Sequence, residues 1–407
     1  MRHHTRAPRL PNIPGWWYAH DHLTEGTTDM MWHLRGPFLG VAVLLVTSMT
    51  SLAAQDQSPG LVARIDSIVE AARKARSIPG VAVAVVRGTD TIVLKGYGVA
   101  DLEHGAPVTA NTRFQIASIS KQFTAAGVLR LAEQGKLRLE DDLTRFVPDY
   151  VTNGRRVTLS ELLAHIHGMQ DYNRPEVQVE FPLPLTQRRF LELMKDQPFD
   201  FPVGERFLYR NTGYYFAAMI IEQLGGRAGS TGGGGGPITS KPYGDFLREA
   251  FFERLGMART LDCRNRPVLE GRAHGYESEN GVVVNAAPLD WSWALGVGSL
   301  CSTVGDLVRW TAGLHGGKVL SPEMYARMTT PATLNDGTKT EYGLGLALAP
   351  VGGRRAIGHG GGAPGYSTTL VYYPDERLTI AVLTNHSGGN ADAIHRAIAA
   401  AVLGGPR

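Results

Sequence analysis

The sequence predicts an α+β fold: an antiparallel sheet built from both chain ends and flanked by helices, with an inserted, mostly helical region. Three observations carry this. Strand-like apolar runs bounded by turn signals gather near the two ends, at residues 81–98 and 342–385. The middle of the chain reads as helix and loop, with apolar residues at helical spacing. No repeat at a fixed period interrupts this pattern. A cleft between the sheet and the inserted helices is then the default place for a site.

The elements follow in order. Residues 61–77 form an amphipathic helix that Pro79-Gly80 ends. VAVAVV (81–86) and TIVLKGYG (91–98), joined by a polar RGTD, form a hairpin. A loop over 101–113 leads to FQIASISK (114–121), which opens a helix over 118–134 with Gly135 as its stop. Thr158 begins a short helix through LSELLAHIHG, stopped by Gly168. A Pro-rich loop (173–186), a helix (187–196) and the helix GYYFAAMIIEQLGG come next. Residues 227–240, RAGSTGGGGGPITS, are a flexible Gly-rich insertion with no core to contribute. A helix over 243–257 and a Gly-rich loop running into a helix over 296–310 close the middle. The C-terminal strands are YGLGLALAP (342–350), RRAIGHGGG (354–362), YSTTLVYY (366–373) and LTIAVLTN (378–385). Pro374-Asp375-Glu376-Arg377 turns between the last two, and residues 390–403 form a closing helix.

Composition excludes several classes of function. The 407 residues are 43% apolar and 19% charged, with a net charge of +3 and no long basic block, so a nucleic-acid partner is not expected. There is no Cys-x-x-Cys and no His-Glu-x-x-His, so no metal is expected, and neither a Gly-x-Ser-x-Gly elbow nor a phosphate loop occurs. No cofactor is expected. Residues 38–46, FLGVAVLLV, follow His33 and Arg35 and precede Ser51-Leu52-Ala53, the pattern of a signal peptide over 30–53. Residues 1–29 then read as an upstream or disordered extension, and 54–407 as the domain, exported to the periplasm or beyond. Export would leave Cys263 and Cys301 as one disulfide or as two buried thiols; both fit.

Three stretches carry chemistry. Ser118 and Lys121 stand three apart, on one face of a helix start. A serine hydroxyl needs a neighbouring base. Burial and the positive end of a helix both push a lysine amine towards its neutral form. Taken alone, the pair also fits a capping serine beside a solvated lysine. Tyr209 and Asn211, two apart on an extended segment, can face the same way and supply a phenol for proton transfer and an amide to orient a substrate or the lysine. A core tyrosine and a helix-capping asparagine fit the same spacing. His359-Gly360-Gly361-Gly362 places an imidazole, able to hold a substrate carboxylate or move a proton, beside glycines that allow close backbone approach.

Taken in order, Ser118-x-x-Lys121, Tyr209-x-Asn211 and His359-x-Gly361 resemble the three motifs of the serine β-lactamase/penicillin-binding-protein superfamily. The likeness is to its class C β-lactamase-related branch, which includes D-alanyl-D-alanine carboxypeptidases, D-amino acid peptidases and esterases. It extends over roughly residues 60–403, through FQIASISKQFTA, LLAHIHGM, FLYRNTGYY, FERLGM, GSLCSTVGDLVRW and YGLGL. The resemblance implies that Ser118 is an acyl-forming nucleophile activated by Lys121, with Tyr209 in proton transfer. It implies Asn211 and His359 as substrate-positioning groups, and the N–H groups of Ser118 and Gly362, next to Gly361, as an oxyanion hole. The expected partner is a small ester, D-peptide or β-lactam substrate at the cell envelope. A histidine at 359, where class C β-lactamases carry lysine, points towards esters or D-peptides. The His-Ile-His-Gly phrase at 165–168 replaces a usual His-Thr-Ser-Gly, so Ile166 and His167 are expected to alter the cleft rim. Trp291 and Trp293 fit either an apolar pocket or the core.

Overall fold

The computed structural model describes residues 58–226 and 240–405. The proposed leader (30–53), the extension before it and all but the last residue of the Gly-rich insertion lie outside the described residues. The sheet expected from both chain ends is present. Its N-terminal strands are β1 (Gly80–Arg87), β2 (Asp90–Asp101) and the short β3 (Ala106–Pro107). Its C-terminal strands are β4 (Ile357–Ala363), β5 (Tyr366–Tyr373) and β6 (Leu378–Thr384). The order is β3-β2-β1-β6-β5-β4, antiparallel throughout, so the two halves join where β1 meets β6, with Val83 opposite Val382.

Both faces of this sheet are covered, which is why β1 is buried from Gly80 to Val86. On the outer face Val81, Val83, Val85, Ile380 and Val382 pack against Ile65 and Val69 of α1 (Ser58–Ala75) and Ile394 and Ile398 of the closing helix Ala391–Leu403. On the inner face Ala82, Ala84, Ala381 and Leu383 meet the helical region. Small residues on that face let the helix Val304–His315 lie close to β1 and β6, while α2 (Ser120–Glu133) and α3 (Thr212–Leu224) pack on each other as a buried pair. α2 is buried on nearly every side although its first turns are polar, and Lys121, Gln122 and Thr124 each find a hydrogen-bond partner inside. Among the described residues no helix is long and apolar enough to cross a membrane.

Four expectations need correction. The helix from Leu159 ends at Leu163, not at Gly168, because His165 takes a left-handed backbone, φ +59°. Residues 342–350 form no strand; Gly345, φ +76°, folds the segment against α2, where a β-carbon would stand 2.7 Å from the Lys121 carbonyl oxygen. A hairpin at Tyr276–Glu279 and Val282–Asn285 turns at Asn280-Gly281, a signal for which no strand was expected. A three-stranded sheet joins Phe114–Gln115, Leu300–Ser302 and Leu261–Asp262, pieces too short for periodicity to reveal. Beside it, Cys263 and Cys301 form a disulfide with both residues buried, which decides between the two expectations for them.

Candidate active site

Ser118 does not cap α2. It lies in a single 3-10 turn, Ala117–Ile119, which feeds that helix, and no side chain caps α2. Ala117, before it, adopts φ +45°, a left-handed conformation that costs a non-glycine residue about 1–2 kcal/mol. The turn is held by the short sheet below it and by Thr368 of β5, whose hydroxyl donates to the Ile116 carbonyl at 2.9 Å.

Lys121 is not solvated; it is fully buried. Its Nζ lies 3.0 Å from Ser118 Oγ, 3.0 Å from Asn211 Oδ1 and 3.2 Å from the Val297 carbonyl oxygen. Two of these partners, an amide oxygen and a peptide carbonyl, only accept. A neutral amine has two N–H donors and one lone pair. It can satisfy both acceptors and turn the lone pair to the Ser118 hydroxyl. Burial pushes the Lys121 pKa well below that of a free lysine, with the Asp171 carboxylate acting in the opposite sense.

Asn211 occupies the N-cap position of α3, yet its side chain makes no cap and accepts from Lys121 instead. Two residues earlier, the Tyr209 ring lies under the lysine amine, 4.8 Å from Nζ to the ring centroid. Its hydroxyl is buried near Ser118 Oγ. Burial raises the Tyr209 pKa above that of a free phenol, and the nearby Ser118 hydroxyl partly offsets this.

His359 is buried rather than exposed, and both ring nitrogens are engaged. Nδ1 lies 2.5 Å from the Gly360 carbonyl, an acceptor, so Nδ1 carries the proton. In the neutral ring, Nε2 then accepts from the Tyr342 hydroxyl at 2.8 Å. The ring stands beside Tyr209, centroids 5.9 Å apart.

β4 is an edge strand, and its register orients the glycines. Gly358 exchanges two hydrogen bonds with Ala347, on the side away from β5. Backbone groups alternate in direction along a strand. The N–H of Gly362 therefore points from the same open edge. A β-carbon at Gly361 would stand 3.0 Å from the Ser118 nitrogen and 2.6 Å from the Ile116 carbonyl oxygen, so only glycine admits the turn this closely. Ser118 N–H, early in its turn, has no preceding helical carbonyl to bond. These two N–H groups are the candidates for holding an oxyanion.

All seven expected residues, Ser118, Lys121, Tyr209, Asn211, His359, Gly361 and Gly362, thus stand together where β4 meets the starts of α2 and α3. Sequence reasoning missed Val297, Tyr342, His165 and Asp171. Tyr342 stood in the YGLGL phrase without a role, and Val297 acts through its backbone, which no residue type announces. Ile166 and His167 do not form the rim; both are buried. Trp291 and Trp293 belong to the core, with a cavity of only ≈ 10 Å³ beside Trp293. A larger cavity, ≈ 400 Å³, lies at the other end of α2, where Arg130 pairs with Glu133 and Lys241 with Glu249. Among the described residues no cluster of three or more His, Cys, Asp or Glu is placed to hold a metal ion.

Comparison with known proteins agrees with this geometry. The sequence model of the Beta-lactamase family matches residues 65–404. Penicillin-binding protein 4* of Bacillus subtilis is 29% identical over 324 residues, 74% of this chain and 67% of that protein. The D-aminopeptidase of Brucella anthropi is 28% identical over 77% of this chain; the chain spans 57% of that protein's length. The structure of D-amino acid amidase from Ochrobactrum anthropi SV3 superposes with a TM-score of 0.70 at 25% identity, covering 84% of this chain and 99% of the amidase. With the fold, the ordered motifs and the profile match in agreement, the chain belongs to the beta-lactamase family, within the serine β-lactamase/penicillin-binding-protein superfamily.

Proposed function

We propose that the protein is an exported serine hydrolase that cleaves amide or ester bonds of small D-configured amino acid derivatives through an acyl-Ser118 intermediate. The observation that carries this is the Lys121 amine, fully buried and 3.0 Å from Ser118 Oγ, with acceptor-only partners on its other sides. Lys121 takes the Ser118 proton as Oγ attacks the carbonyl carbon. The oxyanion that forms lies against the N–H groups of Ser118 and Gly362; one such donor contributes about 3–4 kcal/mol to transition-state stabilisation. Burial keeps Tyr209 a phenol, so it serves as the acid for the departing amine or alkoxide. Collapse releases that group and leaves the acyl ester. A water then gives a proton to the Tyr209 phenolate as it attacks the ester, and the intermediate collapses as Lys121 returns its proton to Ser118 Oγ, which frees the acid and resets both side chains.

The substrate class is supported by the relatives named D-aminopeptidase and D-amino acid amidase, and by the engaged His359, which offers no lysine-like cation. Export is supported by the buried disulfide, which persists in oxidising compartments. The test is turnover of D- and L-aminoacyl anilides, p-nitrophenyl esters and a chromogenic cephalosporin by wild type and Ser118→Ala. The expected result is multiple turnover of a D-anilide or an ester by wild type alone, with both proteins melting alike. Turnover retained in Ser118→Ala sinks the mechanism. Stoichiometric acylation by the cephalosporin, with no turnover of anything else, sinks the hydrolase reading in favour of a penicillin-binding module.

A further inference from the structure

We propose that Asp171 is the positioning residue that governs Lys121: its carboxylate fixes the segment that aims the lysine and supplies the one buried anion acting on it. The inference rests on Lys121 as the base. The loop at Gln170–Arg174 is laced onto Asn211-Thr212. Asp171 Oδ2 accepts the Asn211 N–H at 2.8 Å, and Oδ1 accepts the Asn173 N–H at 3.1 Å. Thr212 Oγ1 donates to the Gln170 carbonyl at 2.8 Å and receives the Tyr172 N–H at 3.0 Å. Next along the loop, the Tyr172 hydroxyl donates to the Trp293 carbonyl, in the stretch that ends at Val297. Two of the three Lys121 partners, Asn211 Oδ1 and Val297 O, are therefore set by this one loop.

Asp171 is buried at the N-terminus of α3, where one oxygen holds the N–H of the N-cap residue Asn211 and the other closes its own loop on Asn173. Burial pushes the Asp171 carboxyl above its ordinary value, while the Asn211 and Asn173 N–H groups, Arg210 and Lys121 act to keep it ionised; Tyr172 and Tyr209 are its other titratable neighbours. Arg210 is itself paired with Asp200 at 3.1 Å. Around Lys121 stand Ser118, Tyr209, Tyr214 and His165, none of them an anion. An anion favours the ammonium form, so Asp171 opposes burial at Lys121. Its removal makes the neutral amine easier to reach.

The test compares Asp171→Asn, Asp171→Ser and Asp171→Glu with wild type, by melting temperature and by kcat/KM against pH. Asn and Ser retain an acceptor for the Asn211 N–H but lose the charge. The expected result is a lower plateau, by about 10- to 100-fold from misaimed groups, together with an acid limb displaced to lower pH. Glu keeps the charge and disturbs only the aim, so its plateau falls while its limb stays where it is in wild type. An acid limb that does not move in folded Asn or Ser variants overturns the proposal. Should those two not fold, Glu decides: a displaced limb in Asp171→Glu overturns it. Lys121→Ala separates the underlying reading, since a rate above about a tenth of wild type there removes Lys121 as the base.

Discussion

A lysine amine in water is protonated at neutral pH, with a pKa of ~10.4. At position 121 the amine is fully buried and has two neighbours that can only accept its protons. Those two facts turn an ordinary side chain into a candidate base. The same closeness constrains Gly361. A β-carbon there meets Thr368 Oγ1 at 2.4 Å as well as the Ile116 carbonyl and the Ser118 nitrogen, and none of the backbone atoms is free to move aside. Gly361→Ala is expected to lower kcat by about 100-fold or more by pushing the Ser118 turn off the β4 edge. Steady-state kinetics beside a melting curve checks this; unchanged kcat would show that the turn yields. The residues with chemistry were legible from sequence because Ser118–Lys121 and Tyr209–Asn211 each act at a local spacing that a helix or an extended segment fixes. Asp171 was not, because the partner that ties it to the site is a backbone N–H 40 residues away. No pattern of side chains records such a contact.

Among the elements, long periodic segments were readable and short ones were not. α2, α3 and the strands β1, β5 and β6 follow apolar spacing over many residues. The helix from Leu159 was overextended because apolar spacing continues through His165-Ile166, while the backbone turns left-handed to present His165 to the Tyr209 ring, centroids 4.3 Å apart. YGLGLALAP has a strand's composition, but two glycines let it fold onto α2 and deliver Tyr342 to His359. The disulfide joins the element bearing Cys301, which pairs with Gln115 just before the nucleophile, to the chain at Cys263. Its sequence separation of 38 corresponds to about 4 kcal/mol in the chain-entropy account of crosslinks. Denaturant melts with and without reductant, and of a Cys263→Ala, Cys301→Ala double variant, are expected to show a loss of that order. An unchanged midpoint would mean that the crosslink adds nothing to the sheet already there.

At the scale of the molecule, the helical region hides two histidines whose charging is opposed. Burial holds His167 at a pKa of about 3 and His165 well below the ordinary value of 6.5. Below pH ~6.5 the unfolded chain takes up protons that the folded protein refuses. Stability is therefore whole above that pH and is lost as pH falls towards 3, by an amount on the order of a few kcal/mol. Melting temperatures across this range are expected to fall, and His167→Asn, whose amide oxygen replaces Nδ1 as acceptor for the Met169 N–H, is expected to show a shallower fall. Equal slopes would place the acid sensitivity elsewhere.

The sheet has β1 paired with β6, and the oxyanion edge comes from β4, more than 200 residues after Ser118. A polypeptide emerging N-terminus first thus displays its nucleophile long before it owns the strand that completes the cleft. Helices α2 and α3 can associate early, but Ser118 gains Gly361 and Gly362 only when the last quarter of the chain arrives and β6 pairs along β1. On the proposed mechanism, with Ser118 as nucleophile, acyl transfer is withheld from every partly made molecule, and the slow, long-range closure of the sheet is also the moment at which the cleft becomes chemically competent.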